Sequence, residues 1–130
     1  ALDGYEGKCK DIHGHSYHLK ITLIGEPVDN ATLSDCGMVV DFGDIKTIVR
    51  ENVYEEFDHR LLLRNDSRFK GIEKDNERVR YVNYQPTCEN MLIEIIEMIQ
   101  KHLQGRVKLH SAFLRETANS YAEWFASDNQ

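Results

Sequence analysis

Residues 13–25 alternate between apolar and polar side chains, and this alternation constrains the fold more than any other feature of the sequence. In an extended chain, side chains two residues apart point to the same face. One face of this segment would carry Lys20 and Thr22, and the other Tyr17, Leu19, Ile21 and Leu23. The pattern predicts a β-strand with one apolar face.

Apolar residues at helical spacing predict two helices after this strand. The first follows the short apolar run 38–41 and ends near Phe57. The second begins after Thr87, a good helix N-cap, and ends at Gly105. Strands are predicted at residues 78–85 and 107–117, and the charged residues 64–77 are predicted to form a surface loop. The order is therefore β-α-β-α-β, and the pattern leaves residues 120–130 open.

The bulk properties fit a single domain over residues 1–130. The net charge of −6 disfavours a broad basic surface for nucleic acid but does not exclude a small anionic substrate. No apolar run approaches the roughly 20 residues that cross a bilayer, so no membrane partner is expected. Because the chain starts without methionine in loop-like residues, we expect its first strand to precede Ala1.

The three cysteines, Cys9, Cys36 and Cys88, have unrelated spacings. They do not form a disulfide framework, which predicts a reducing cytoplasm. Cys88, in the first turn of a helix, is interpreted as a small packing residue. Cys9 has three open interpretations: a metal ligand, a nucleophile or base, or an inert thiol. The neighbouring Lys8 and Lys10 would favour its thiolate form.

His13 and His15 are spaced two apart, so in an extended chain they would stand side by side. They are candidate zinc ligands, although alternating histidines can also be plain surface residues. Zinc needs three or four ligands, so another must come from Cys9 or from elsewhere. His18 has the opposite parity and is a poor third ligand.

Two further candidates carry carboxylates. Asp58 is adjacent to His59 at a predicted helix end, where a carboxylate could orient the imidazole as a proton shuttle. An ordinary solvated pair is the alternative. Glu116 ends the last predicted strand, and its carboxylate could accept two parallel hydrogen bonds from a heterocycle or remain a surface charge.

Four segments in this order resemble the 6-pyruvoyl tetrahydropterin synthase and 6-carboxytetrahydropterin synthase family. They are Cys9-x-x-x-His13-Gly14-His15-Ser16-Tyr17, Met38-Val39-Val40-Asp41-Phe42, Asp58-His59, and Pro86-Thr87-Cys88-Glu89-Asn90 followed by Arg115-Glu116-Thr117. The three-residue gap between Cys9 and His13 resembles the 6-carboxytetrahydropterin synthase branch, which belongs to queuosine and related deazapurine biosynthesis.

The resemblance implies an α+β tunnelling fold (T-fold), an antiparallel four-stranded sheet with two helices on one face. Subunits of this fold join their sheets into a barrel, form active sites between subunits and usually assemble as homohexamers. The family binds Zn²⁺ through three histidines. Two of them map onto His13 and His15, and the third is expected upstream of Ala1.

The resemblance also implies an enzyme, a lyase that acts on dihydroneopterin triphosphate. Cys9 would be the thiolate base, Asp58 and His59 the partner acid or base, and Glu116 the pterin anchor, assisted by Thr87. In the carboxy branch the products are 6-carboxytetrahydropterin, acetaldehyde and triphosphate. The alternatives are the pyruvoyl branch, which eliminates triphosphate, and a non-catalytic pterin- or metal-binding protein of the same fold.

Overall fold

Three strands form an antiparallel sheet in the order β1-β4-β5, with β1 at His18–Ile24, β4 at Lys108–Thr117 and β5 at Ser120–Phe125. The computed structural model describes residues 1–7, 11–72 and 78–130. Along β1 the side chains of Leu19, Ile21 and Leu23 are partly buried and the intervening ones exposed, so the predicted alternation is confirmed within His18–Ile24. Residues 13–17, which were also predicted to be extended strand, precede β1 and pair with no strand among the described residues. Within the described ranges the sheet has no fourth strand.

The hairpin from β4 to β5 contains the strand that the sequence pattern left open. Leu114 pairs with Ala122 and Arg115 with Tyr121, but the next pair is Thr117 with Ser120. The register therefore shifts at Glu116, and such a bulge redirects a side chain relative to the regular pleat.

Helix α1 (Phe42–Val49) continues through a π-helical segment (Arg50–Tyr54) to a last turn (Glu55–Phe57), and together these residues form the first helical stretch. Its N-cap is Asp41, whose Oδ1 accepts a hydrogen bond from the Gly43 N–H at 2.7 Å. The predicted end of this helix near Phe57 is confirmed.

Helix α2 (Cys88–Gln100) begins after the predicted cap, because the Thr87 side chain accepts a hydrogen bond from the Asn90 N–H at 3.2 Å. Its apolar stripe packs with Val53 of the first helical stretch against Leu109, Ala112 and Leu114 of β4. Both helical stretches therefore join one core on one face of the sheet. The predicted α+β class, with two helices and an antiparallel sheet, is confirmed.

A short parallel pair, β2 (Leu61–Arg64) and β3 (Val79–Val82), lies outside that sheet. The strand predicted at 78–85 is confirmed in its first half, whereas β2 was not predicted. Residues 65–71 form turns, as expected for the loop at 64–77, and residues 73–77 of that loop lie outside the described residues. No helix in the described part of the chain is long and apolar enough to cross a membrane.

Candidate functional site

A cleft of about 800 Å³ lies between the segment before β1, the turn at Asp58 and His59, and the start of α2. Its lining includes every predicted site residue that the structure describes: His13, His15, Asp58, His59, Thr87 and Glu116. Cys9 lies outside the described residues. The volume is within the range of small-molecule sites, roughly 300–1,000 Å³.

His13, His15 and Glu116 form a compact cluster in this cleft. One ligand atom from each lies within 4.8 Å of the others, and the two imidazole rings are 4.9 Å apart, edge to face. The Nδ1–H of His13 donates to the Asp11 carbonyl at 2.7 Å. That hydrogen bond fixes the ring and leaves its Nε2 to act as a ligand, as is typical of metal-binding histidines.

His15 supplies the most specific indication of a metal. Its Nε2 atom is buried and has no hydrogen-bond partner among the described residues. Oε1 of Glu116 lies 3.3 Å away, but no hydrogen bond joins the two atoms. Buried polar atoms are rarely left unpaired. An unpaired imidazole nitrogen beside a second imidazole and a carboxylate fits a divalent metal such as zinc.

Glu116 reaches the cleft because the β4 register shifts at its position. Its Oε1 accepts a hydrogen bond from the Tyr17 hydroxyl at 3.3 Å, and its Oε2 has no partner among the described residues. The carboxylate is therefore partly oriented and keeps an oxygen for a ligand. Tyr17 was assigned only to the apolar strand face. The signal that would have found it is its parity, which it shares with His13 and His15.

Asp58 and His59 form an exposed turn at the end of the first helical stretch. His59 Nδ1 lies 3.1 Å from Asp58 Oδ1, and the His59 side chain is 80% exposed. His59 has a φ of +54°, a conformation that residues other than glycine rarely adopt. Arg78 holds this turn, since its Nε donates to the His59 carbonyl at 2.7 Å and its Nη2 to the Asp58 carbonyl at 2.9 Å. Arg78 was not among the predicted site residues, because no local pattern marks it.

Thr87 and Cys88 lie at the start of α2, on the cleft wall. The Thr87 side chain already caps the helix. Cys88 is only 7% exposed, and its thiol donates to the Leu114 carbonyl at 3.2 Å, so its interpretation as a packing residue is confirmed. Burial raises the pKa of Cys88 to about 11, with further contributions from Glu116 and Glu89. The thiol is therefore un-ionised at neutral pH.

Because the pKa of the Cys88 thiol is raised in the folded protein, we expect the protein to lose stability at alkaline pH. The unfolded thiol ionises near its ordinary pKa of 9.0, whereas the folded thiol keeps its proton to about 11. The contribution of this thiol to the free energy of unfolding is therefore complete below about pH 9 and is lost as the pH rises through 11, a loss of about 3 kcal/mol. The effect is measured by urea unfolding of wild type and Cys88→Ala across this range. The difference between their free energies of unfolding should shrink as the pH rises. If the free energies of unfolding of the two proteins differ by a constant amount across this pH range, the prediction is wrong.

The fold and the cleft together define a small α+β protein with a candidate metal site beside a candidate proton-transfer pair. The sequence matches the model of the 6-pyruvoyl tetrahydropterin synthase family over residues 1–127. The chain belongs to this family, and its fold is the family's tunnelling fold.

Relatives in two bacteria bear the same enzyme name. The chain is 32% identical over 125 residues to 6-carboxy-5,6,7,8-tetrahydropterin synthase of Rickettsia typhi, with 92% of this chain and 87% of the relative covered. It is 32% identical over 128 residues to the enzyme of that name from Aquifex aeolicus, with 90% and 75% covered. An uncharacterized protein from Wolinella succinogenes shares the fold, with a TM-score of 0.72, 23% identity and coverage of 90% and 80%.

Proposed function

We propose that the chain is a pterin synthase of the lyase class, specifically a 6-carboxytetrahydropterin synthase. It converts dihydroneopterin triphosphate and water into 6-carboxytetrahydropterin, acetaldehyde and triphosphate, as a step towards queuosine and related deazapurines. The observation that carries the proposal is the convergence of two histidines, an aspartate–histidine pair and a glutamate in one cleft. The names of the relatives support the carboxy branch.

His13 and His15 would hold the zinc ion, together with a third histidine of the kind that the family uses. The buried, unpaired Nε2 of His15 is the observation that supports this assignment. When bound, zinc supplies Lewis-acid polarisation of the oxygens on the substrate side chain. We assign Glu116 to the pterin rather than to the metal, because a ring with adjacent N–H donors matches a carboxylate with a remaining acceptor oxygen.

The protein's own groups perform the proton transfers. Cys9, as a thiolate, removes a proton from the substrate side chain, and His59 is the acid or base on the opposite side. Asp58 orients the His59 ring through the 3.1 Å contact at Nδ1. Glu116, assisted by Thr87, fixes the pterin ring, which holds the reacting carbons at constant positions relative to the proton-transfer groups. We further propose that the active protein is a homohexamer with its sites between subunits.

Arg78 is a positioning residue for this chemistry. Arg78→Gln removes both hydrogen bonds to the turn at Asp58 and His59, so we expect kcat to fall about tenfold with a smaller change in KM. Arg78→Lys keeps a donor and should restore part of kcat. Steady-state kinetics with a pH profile measure the effect, and a wild-type kcat in both variants would contradict it.

The proposed function is tested by the release of inorganic triphosphate from dihydroneopterin triphosphate, followed by ³¹P NMR. The natural full-length chain, loaded with zinc, should release triphosphate. His59→Gln should slow the release by about 10²–10⁴-fold, the usual contribution of a general acid or base. His110→Gln is the matched control, because His110 is exposed on β4 and does not line the cleft. A wild-type chain that leaves the substrate intact would refute the proposal.

A further inference from the structure

The cleft is acidic where it is described. Three carboxylates, those of Asp58, Glu89 and Glu116, belong to residues that line it. Arg60 is the only described lining residue whose side chain carries a permanent positive charge. A polyphosphate that enters such a cleft meets carboxylate repulsion, which must be offset by a cation.

Arg60 is held in place at one end and has donors remaining at the other. Its backbone N–H donates to the Phe57 carbonyl at 3.2 Å, and its side-chain Nε donates to the Glu55 carbonyl at 3.2 Å. These bonds anchor the residue to the last turn of the helical stretch. Its two terminal nitrogens bond to no residue in the described part of the chain, which leaves four N–H donors for a ligand.

The geometry also separates Arg60 from Lys20, a cation on β1 that does not line the cleft. Lys20 lies on the exposed face of β1, whereas the apolar residues of that strand point to the core. It lines a second, smaller cavity with Phe113 and Glu123. Lys20 therefore serves a different surface from the cleft that contains His59.

We propose that Arg60 binds the triphosphate of the substrate, an assignment that rests on the proposed function. Arg60 directly follows His59 in the chain, so the triphosphate would lie beside the group that handles protons at the substrate side chain. A guanidinium matches phosphate oxygens with two parallel hydrogen bonds, which an ammonium does not reproduce. Arg60 transfers no proton itself. It positions the leaving group and offsets its charge.

The test uses inorganic triphosphate as the probe and calorimetric titration of the zinc-loaded, full-length protein as the readout. Arg60→Gln should weaken triphosphate binding about tenfold or more, and Arg60→Lys should weaken it less. Lys20→Gln, the matched control, should bind like wild type. Zinc content and thermal unfolding of each variant are measured alongside, because Arg60 is exposed and its replacement should leave both unchanged.

The outcomes separate this inference from the proposed function. If wild type turns over dihydroneopterin triphosphate and Arg60→Gln binds inorganic triphosphate as tightly as wild type, the Arg60 assignment is wrong and the function stands. Equal losses in Arg60→Gln and Lys20→Gln would also overturn the assignment, because they indicate only a general charge effect. If wild type binds triphosphate through Arg60 but turns nothing over, the function is wrong and the anion site remains.

Discussion

Cys9→Ala is expected to slow turnover of dihydroneopterin triphosphate by about 10²–10⁴-fold, the range for loss of a positioned general base. Substrate binding should change little, because Glu116, Arg60 and the metal, not the thiol, are proposed to hold the ligand. A thiolate is the reactive form of cysteine, and Lys8 and Lys10 on either side favour it electrostatically. Single-turnover kinetics and equilibrium binding of the substrate separate the two effects.

Cys36→Ala is the matched control for that experiment. Cys36 is an exposed free thiol and does not line the cleft, so its loss should leave both turnover and binding unchanged. Cys88 is unsuited as a control because it is buried in the core. Wild-type turnover in Cys9→Ala would remove the thiolate from the mechanism. Loss of binding together with turnover would mean that Cys9 holds the ligand or the metal.

His15→Ala is expected to lower zinc affinity by at least about 10–100-fold. That is the loss found when only a residue hydrogen-bonded to a metal ligand is replaced, and removal of a ligand should cost at least as much. The reason is the buried Nε2 of His15, which has no hydrogen-bond partner among the described residues and is proposed to bind the metal. Turnover should fall with zinc content. Zinc is measured by competition with a chromogenic chelator, a readout that does not depend on activity.

His18→Ala is the control for the histidine experiment. His18 is the first residue of β1, is exposed and does not line the cleft. The zinc affinity and turnover of the His18→Ala variant should therefore match those of wild type. His15→Gln keeps the approximate size of the side chain, so it separates the loss of a metal ligand from an effect on folding. Full zinc binding by both His15 variants would exclude His15 as a ligand, whatever their activity.

Local patterns predicted most of the fold. The alternation of β1 follows from burial of one strand face, and Thr87 caps α2 through a contact three residues away, so both are visible in short windows. Strand β2 was missed because its apolar side chains, Leu61 to Leu63, have no alternation, and its partner β3 is distant in sequence. Strand β5 was left open because apolar residues occur on both of its faces.

The candidate site was predictable by residue type but not by arrangement. The parity of His13 and His15 placed them side by side without knowledge of the fold. The approach of Glu116 to His15 depends on the bulge in β4, and the support of the turn at His59 depends on Arg78, 19 residues away. Nothing in the local pattern encodes these contacts. The choice of Arg60 over Lys20 likewise required knowing which face of the sheet each residue occupies.

The identity of the products distinguishes the carboxy reaction from the pyruvoyl reaction in one experiment. The zinc-loaded, full-length protein is incubated with dihydroneopterin triphosphate, the pterin product is identified by mass spectrometry, and acetaldehyde is assayed in the same mixture. We predict 6-carboxytetrahydropterin together with an equal amount of acetaldehyde. A pyruvoyl pterin without acetaldehyde, or unchanged substrate, would contradict the proposed function.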